Sequence, residues 1–132
     1  MKLGYTILYV KNVEETLSFY EKAFGFSRRF CHESGQYGEM STGETTLAFA
    51  SECLSHENGL VFRPNHQESL PAGFEISFVT PDVEGAYERA LQEGALCAKE
   101  PTQKPWRQKV AYVRDLNGVL VELCSPLEEG SC

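Results

Sequence analysis

One pattern of predicted secondary structure occurs twice along the chain, at an offset of about 70 residues. The pattern is a strand, a helix and three further strands, and it lies on either side of residues 52–72. The matched pairs are Tyr5 and Glu75, Asn12 and Asp82, Val13 and Val83, and Glu14 and Glu84. Such a repeat restricts the chain to a fold built from two copies of one module.

The first module is predicted over residues 1–51. A β-branched and aromatic run over residues 3–10 predicts a strand, and Asn12 followed by Glu15 is typical of a helix start. Apolar residues at helical spacing then continue to Gly25, where the helix is predicted to end. Turn residues separate three further predicted strands, which favours an antiparallel meander. Those strands are 26–33, 37–42 and 45–50.

The second module is predicted over residues 73–126, with residues 52–72 as a linker and residues 127–132 as a short tail. Its predicted elements are a strand over 74–80, a helix after Asp82, and strands over 95–99, 109–114 and 119–124. We therefore predict a single α+β domain over residues 1–132. Its two tandem βαβββ modules would form a concave cup of mixed and antiparallel sheet, with the helices on the outer face.

Composition narrows the possible partners. The chain has 132 residues, a formal net charge of -7 and a sequence pI of about 5.0. A negative chain repels polyanions, so nucleic acid and anionic membranes are poor partners. No stretch is apolar enough for a membrane span or a signal peptide, so a cytoplasmic location is expected.

Cysteine and histidine spacing gives no metal-binding motif. The five cysteines are scattered and include no C-x-x-C pair, so free thiols are expected. The three histidines also lack the mutual spacing of a ligand pair. These residues are Cys31, Cys53, Cys97, Cys124 and Cys132, and His32, His56 and His66.

Alternation along the strands predicts which side chains face the cup, because successive strand residues point to opposite faces of a sheet. Apolar Ile76 and Phe78 are expected under the helix, which leaves the intervening Ser77 on the open face. A cup lined by open-face residues is a typical small-molecule site. The predicted open-face residues include Tyr5, Ile7, Tyr9, Thr46 and Ala48 in the first module, and Glu75, Ser77, Glu122 and Cys124 in the second.

Two motifs add a resemblance to a known family. Residues 19–25 read F-Y-x-x-x-x-G, and residues 115–122 read D-x-x-G-x-x-x-E. With the tandem modules, they resemble the glyoxalase, bleomycin-resistance and extradiol-dioxygenase superfamily, also called the vicinal oxygen chelate group. The chain looks like a glyoxalase-like member of bacterial type.

The resemblance implies where a metal would bind. Metal-dependent members take ligands from the first and last strands of each module, usually His, Gln or Glu. The corresponding positions here are Tyr5, Ala48, Glu75 and Glu122. Of these, Glu122 alone keeps the usual residue type for its position, since His is commonest at position 75, tyrosine is a rare ligand and alanine has no donor atom. The two positions that lack a usual ligand, Tyr5 and Ala48, both belong to the first module.

The two carboxylates of the second module are the candidate catalytic and metal-binding residues. First and last strands are expected to be neighbours, which brings Glu75 close to Glu122, and two such carboxylates repel. The pair could hold a divalent ion, with Mg or Mn favoured over Zn and with Ni, Co and Fe not distinguished. It could instead share a proton, or accept hydrogen bonds from a cationic or amide ligand without a cofactor. Glu75 could also be merely solvated at a strand end.

A basic and aromatic segment over residues 99–109 adds two candidate ligand-binding residues. Trp106 could cover an apolar ligand face, and Arg107 could bind a carboxylate or phosphate, or simply point to water. The predicted substrate-binding set is Tyr5, Tyr9, Ala48, Ser77, Trp106 and Arg107.

Three functions remain open at this stage. The favoured one is a metal-free small-molecule-binding protein of bleomycin-resistance type, because ligand positions are missing. The alternative is a divalent-metal-dependent, glyoxalase-like lyase or isomerase that uses Glu122 and Glu75. An extradiol dioxygenase is the weakest, since its ferrous site needs two histidines and no histidine occupies a ligand position. A homodimer is also expected.

Overall fold

The structure is a computed structural model that describes residues 1–127. Most of the predicted tail, including Cys132, lies outside the described residues. The chain divides into two compact units, which meet in sequence between Asn65 and His66. No helix within residues 1–127 is long and apolar enough to cross a membrane.

The first unit contains the first predicted βαβββ module. Its elements are β1 (Tyr5–Val10), α1 (Val13–Phe24), β2 (Ser27–Cys31), β3 (Tyr37–Ser41), β4 (Thr46–Ser51) and α2 (Glu52–Glu57). The four strands form one mixed sheet in the order β1-β4-β3-β2. Strand β1 pairs with β4 in parallel, and the other two pairs are antiparallel, as the predicted meander requires.

The second unit repeats this topology. Its elements are β5 (Ile76–Val79), α3 (Val83–Gln92), β6 (Leu96–Gln103), β7 (Lys109–Arg114) and β8 (Leu120–Cys124). The sheet order is β5-β8-β7-β6, and β5 is parallel to β8. The predicted α+β class and the two βαβββ modules are therefore confirmed. Strand β5 is shorter than predicted, so Glu75 lies immediately before it.

The predicted cap residues start and end the helices. The Oδ1 atom of Asn12 accepts a hydrogen bond of 2.9 Å from the backbone N–H of Glu15 at the start of α1. Gly25 ends this helix in the left-handed conformation, with φ at 76°, which glycine adopts at little cost. Asp82 caps α3 in the same way as Asn12, by accepting from the N–H of Gly85 at 3.0 Å.

The core of the first unit lies between α1 and the sheet. Leu17, Tyr20, Met40 and Phe49 are completely buried there, and the rings of Tyr20 and Phe49 have centroids 4.8 Å apart. Burial of each such side chain contributes roughly 1.5–3 kcal/mol. Because α1 covers this face of the sheet, ligands can reach only the opposite face.

Helix α2 occupies part of the segment predicted as a linker. The Oγ atom of Ser51 caps it by accepting from the N–H of Leu54 at 3.0 Å. Beyond the helix, the Phe62 ring lies 4.6 Å from the His56 ring and 4.8 Å from the Tyr9 ring. The apolar spacing did not predict α2, because a helix of six residues is too short to establish a period.

Residues 66–69, which we call the strap, are fixed to the β7–β8 hairpin by hydrogen bonds from Arg114 and from Gln67, whose side-chain amide donates to the Asp115 oxygen. The Arg114 guanidinium donates to the backbone oxygens of Gln67 and His66, both at 2.8 Å, and to that of Ser69. Its Nε atom also donates to the Gly118 oxygen at 3.0 Å. A Cβ atom on Gly118 would lie 2.2 Å from the His66 oxygen, and φ there is 87°, so this position requires glycine.

Candidate functional site

The open face of the second sheet carries a group of polar side chains around Glu122, which we call the Glu122 cluster (Glu75, Ser77, Tyr112, Glu122 and Cys124). Strand register creates it, because Ser77 on β5 and Tyr112 on β7 both lie opposite Glu122 on β8. The Ser77 hydroxyl donates to Glu122 Oε1 at 2.5 Å. The Tyr112 hydroxyl donates to Oε2 at 3.0 Å. Both oxygens of the Glu122 carboxylate therefore already accept hydrogen bonds.

Glu75 adds a second acidic side chain to this face. Although the residue is exposed, partial burial of its carboxyl group raises the pKa, and the nearby charge of Glu122 raises it further. Burial also raises the pKa of Tyr112 to about 12, aided by its hydrogen bond to Glu122 and by the negative charges around it. Both shifts favour the protonated forms, so the cluster favours protons or hydrogen-bond donors over additional negative charge.

Cys124 is the buried member of the cluster and lies next to Ser77. The residue is only 4% exposed, and its Sγ atom lies 3.5 Å from the Ser77 hydroxyl. Burial raises the pKa of the thiol, with the charge of Glu122 acting in the same direction. Cys124 is therefore a protonated thiol at neutral pH and a poor nucleophile. Cys31, Cys53 and Cys97 are also free, as expected.

The first sheet differs at the predicted ligand positions. Tyr5 is 56% exposed and Ile7 is also exposed, in keeping with the predicted open face of β1. Ala48, in contrast, is 0% exposed, although it was predicted to line that face. Its register partners are Ile7 on β1 and Glu39 on β3. A small methyl group between two larger side chains has no surface left for a ligand.

A carboxylate does lie on the open face of the first sheet, but it comes from β3. Glu39, opposite Ala48, accepts a hydrogen bond of 2.7 Å from the Tyr37 hydroxyl, and its Oε1 atom lies 3.6 Å from Arg29 Nε. Burial, together with this hydrogen bond, raises the pKa of Tyr37. No prediction of site residues from the sequence included these three residues or Tyr112. Alternation of Tyr37 and Glu39 with the buried Met40 could have identified the pair.

The structure places the remaining predicted ligand-binding residues as follows. Trp106 is exposed, and its indole N–H donates to Gln108 Oε1 at 2.8 Å. Arg107 adopts a left-handed backbone conformation, with φ at 69°, in the turn that follows Lys104. Tyr9 is half-buried against Phe62. Only Glu75, Ser77 and Glu122 of the predicted site residues are therefore joined in one cluster.

The donor atoms do not fit the metal site that the resemblance implies. Within residues 1–127, no three or more His, Cys, Asp or Glu side chains are grouped so that they could hold a metal ion. Ala48 supplies no donor atom, and both oxygens of Glu122 are engaged by hydroxyl groups. A metal on Glu122 would have to compete with these hydrogen bonds, with Glu75 as a second carboxylate on the same face.

Comparison with protein families identifies the group to which the chain is related. A family model described as the Glyoxalase/Bleomycin resistance protein/Dioxygenase superfamily matches residues 2–123. The chain belongs to this superfamily. The match covers both modules, and it confirms the relationship that the two sequence motifs indicated. No curated protein matches the chain in a comparison of sequences.

Several solved structures share the fold. A glyoxalase-related enzyme from Fulvimarina pelagi aligns with a TM-score of 0.81 at 18% identity, over 96% of this chain and 88% of that one. A glyoxalase/bleomycin resistance protein/dioxygenase family enzyme from Burkholderia phytofirmans PsJN gives 0.77 at 20% identity, over 95% and 98%. TioX from Micromonospora sp. ML1 gives 0.71 at 18% identity, over 95% and 98%. At these identities the likeness concerns the fold alone.

Proposed function

We propose that the chain is a small-molecule-binding protein that holds its ligand through hydrogen bonds on the Glu122 cluster, without a complete metal site. The carrying observation is that Ser77 and Tyr112 donate to both oxygens of Glu122. Such hydroxyl groups orient the carboxylate, so its remaining lone pairs point in fixed directions.

The charge of the cluster selects the class of ligand. Glu75 and Glu122 repel each other, and this repulsion adds to the effect of burial in raising the pKa of Glu75. A ligand with an ammonium, amidinium or amide N–H group would relieve this repulsion and donate to both carboxylates. The same repulsion would exclude an anionic ligand. We therefore propose a cationic or amide-bearing small molecule for this site.

The first experiment separates hydrogen bonding from metal coordination. Chelator-treated protein is unfolded thermally with Mg, Mn, Fe(II), Co, Ni or Zn, and separately with benzamidine as an amidinium probe. A ligand that binds the native state raises the unfolding midpoint by mass action. We expect benzamidine to raise the midpoint of the parent, and to do so much less in Glu122→Gln and Glu75→Gln.

The control is Glu88→Gln, which removes an equal charge from an exposed position on α3. This variant should respond to benzamidine like the parent. A midpoint increase with one metal ion that disappears in Glu122→Gln would overturn the proposal. The divalent-metal-dependent lyase or isomerase, with Glu122 and Glu75 as ligand or proton carrier, would then be the better function.

We also propose that the protein forms a homodimer. Several apolar side chains of the second unit are exposed, and a second copy would remove such surface from water. They are Phe74, Val79 and Leu96. Light scattering after size-exclusion chromatography measures the mass directly, and a mass of 14.8 kDa across a range of concentrations would exclude the dimer.

A further inference from the structure

The first sheet carries an arginine side chain that is oriented by contacts with neighbouring residues but is not buried by them. The register of β2 against β3 shifts between Arg28 and Phe30, so Arg29 lies at a β-bulge. Its side chain is 60% exposed and reaches to β4, where Nη1 donates to Thr46 Oγ1 at 3.1 Å. Its Nε atom lies 3.6 Å from Glu39 Oε1. These two contacts use only part of the guanidinium, which has further N–H groups to offer a ligand.

Arg29 is among the residues that line an open surface cavity of about 440 Å³. Small-molecule sites in proteins measure roughly 300–1,000 Å³, so the cavity has the size of a ligand site. Its lining includes Lys2, Tyr5, Arg29, Glu44 and Thr46. All five belong to the first unit, and none belongs to the Glu122 cluster.

The lining side chains match a singly charged anion. Lys2 and Arg29 supply two positive charges, and an arginine fork pairs with a carboxylate through parallel hydrogen bonds. The Thr46 hydroxyl, oriented by Arg29, can donate its own proton to the same group. Glu44 on the same wall repels a second negative charge, which disfavours a phosphate dianion.

The aromatic ring of Tyr5 adds an apolar surface beside these charges. Because this side chain is 56% exposed, a flat ligand body could stack on it while the anionic group meets the guanidinium. We propose that this cavity binds a small aromatic monocarboxylate, with Arg29 and Lys2 on the carboxylate and Tyr5 against the ring. The proposal does not depend on the Glu122 cluster, whose preferred ligand has the opposite charge.

Amide chemical shifts of ¹⁵N-labelled full-length protein test this site, with sodium benzoate as the probe and inorganic phosphate as the second anion. We expect benzoate to shift the amides of Thr45, Thr46 and Tyr5. Arg29→Gln should weaken benzoate binding about tenfold or more, because the fork is lost. Lys2→Gln should weaken it about threefold, as expected for a single flexible charge. Phosphate should bind more weakly than benzoate.

The matched control is Arg63→Gln, which removes one exposed positive charge of the same unit outside the cavity. This variant should bind benzoate like the parent. Equal affinity in the parent and Arg29→Gln would overturn the proposal, as would tighter binding of phosphate. If Arg29→Gln fails to fold, Lys2→Gln decides the question, since Lys2 is exposed before β1 and unchanged affinity in that variant would also overturn the site.

Discussion

The two modules have the same topology, and their first, third and fourth strands pair in corresponding register, but the modules place their carboxylates on different strands. In the second module Glu122 lies on β8, between Ser77 and Tyr112 in register. The corresponding trio of the first module is Ile7, Ala48 and Glu39, with the carboxylate on the adjacent strand β3. In each module a tyrosine hydroxyl donates to the carboxylate.

This difference shows which features of a duplicated module tolerate change. The parallel pairing of first and last strands is identical in both, because backbone hydrogen bonds and the helix-covered core require it. The open face is under no such packing requirement, so its polar groups can differ. Topology alone therefore predicts where the backbone of a ligand-binding position lies, but it does not predict which side chain occupies that position.

The largest expected effect comes from giving the first module the carboxylate of the second. Ala48→Glu would place a charge at a fully buried position directly opposite Glu39. We expect the free energy of unfolding at pH 7 to fall by about 4 kcal/mol, since a buried unpaired charge is strongly destabilising. Urea unfolding measures this loss.

The control is Ala48→Gln, because a glutamine side chain has nearly the same volume as a glutamate side chain but no charge. This variant should be clearly less destabilised than Ala48→Glu. If the two variants are equally stable, overpacking and not charge excludes a carboxylate from this position. If neither is destabilised, position 48 of the first module accepts a carboxylate as freely as position 122 of the second.

A smaller effect is expected when the carboxylate of the second module is removed. Glu122→Ala leaves Ser77 and Tyr112 without their acceptor, which should cost about 1–2 kcal/mol of unfolding free energy. The pKa of Tyr112 should also fall below about 12, because a hydrogen bond and a neighbouring charge are lost while burial remains. Urea unfolding and NMR titration of ¹³C-labelled tyrosine rings measure both effects.

Glu39→Ala is the matching change in the first module. It should lower the pKa of Tyr37 and leave that of Tyr112 unchanged. An unchanged Tyr112 pKa in Glu122→Ala would mean that burial alone sets it, and that the hydrogen bond contributes little.

The smallest expected effect concerns Glu75. Because its pKa is raised in the folded state, the protonated carboxyl stabilises the fold below the ordinary value of 4.5, and this stabilisation is lost as pH rises through the raised value. Glu75→Gln should therefore stabilise the protein at pH 7 by a few tenths of a kcal/mol, a small amount since the residue is exposed. Near pH 4 the difference should shrink, and thermal unfolding at both pH values measures it. A variant less stable than the parent at pH 7 would contradict the repulsion with Glu122.

The sequence predicted those features that depend on local pattern. Alternation placed Ser77 on the open face of β5 and Glu122 on that of β8, and the topology expected for each βαβββ module makes these strands neighbours. Alternation did not predict the position of the Arg29 side chain, because a β-bulge breaks the alternation at that residue. The burial of Ala48 depends on the side chains of neighbouring strands, which no single-strand pattern contains.

The strap has a consequence for where the chain can be cut. Arg114 holds residues 66–69 on the hairpin of the second unit, whereas Val61, a few residues earlier, is 98% exposed. Proteases cut accessible segments; the segment around Val61 is accessible, whereas hydrogen bonds hold the strap. A cut near Val61 would therefore leave the strap attached to the unit that it stabilises.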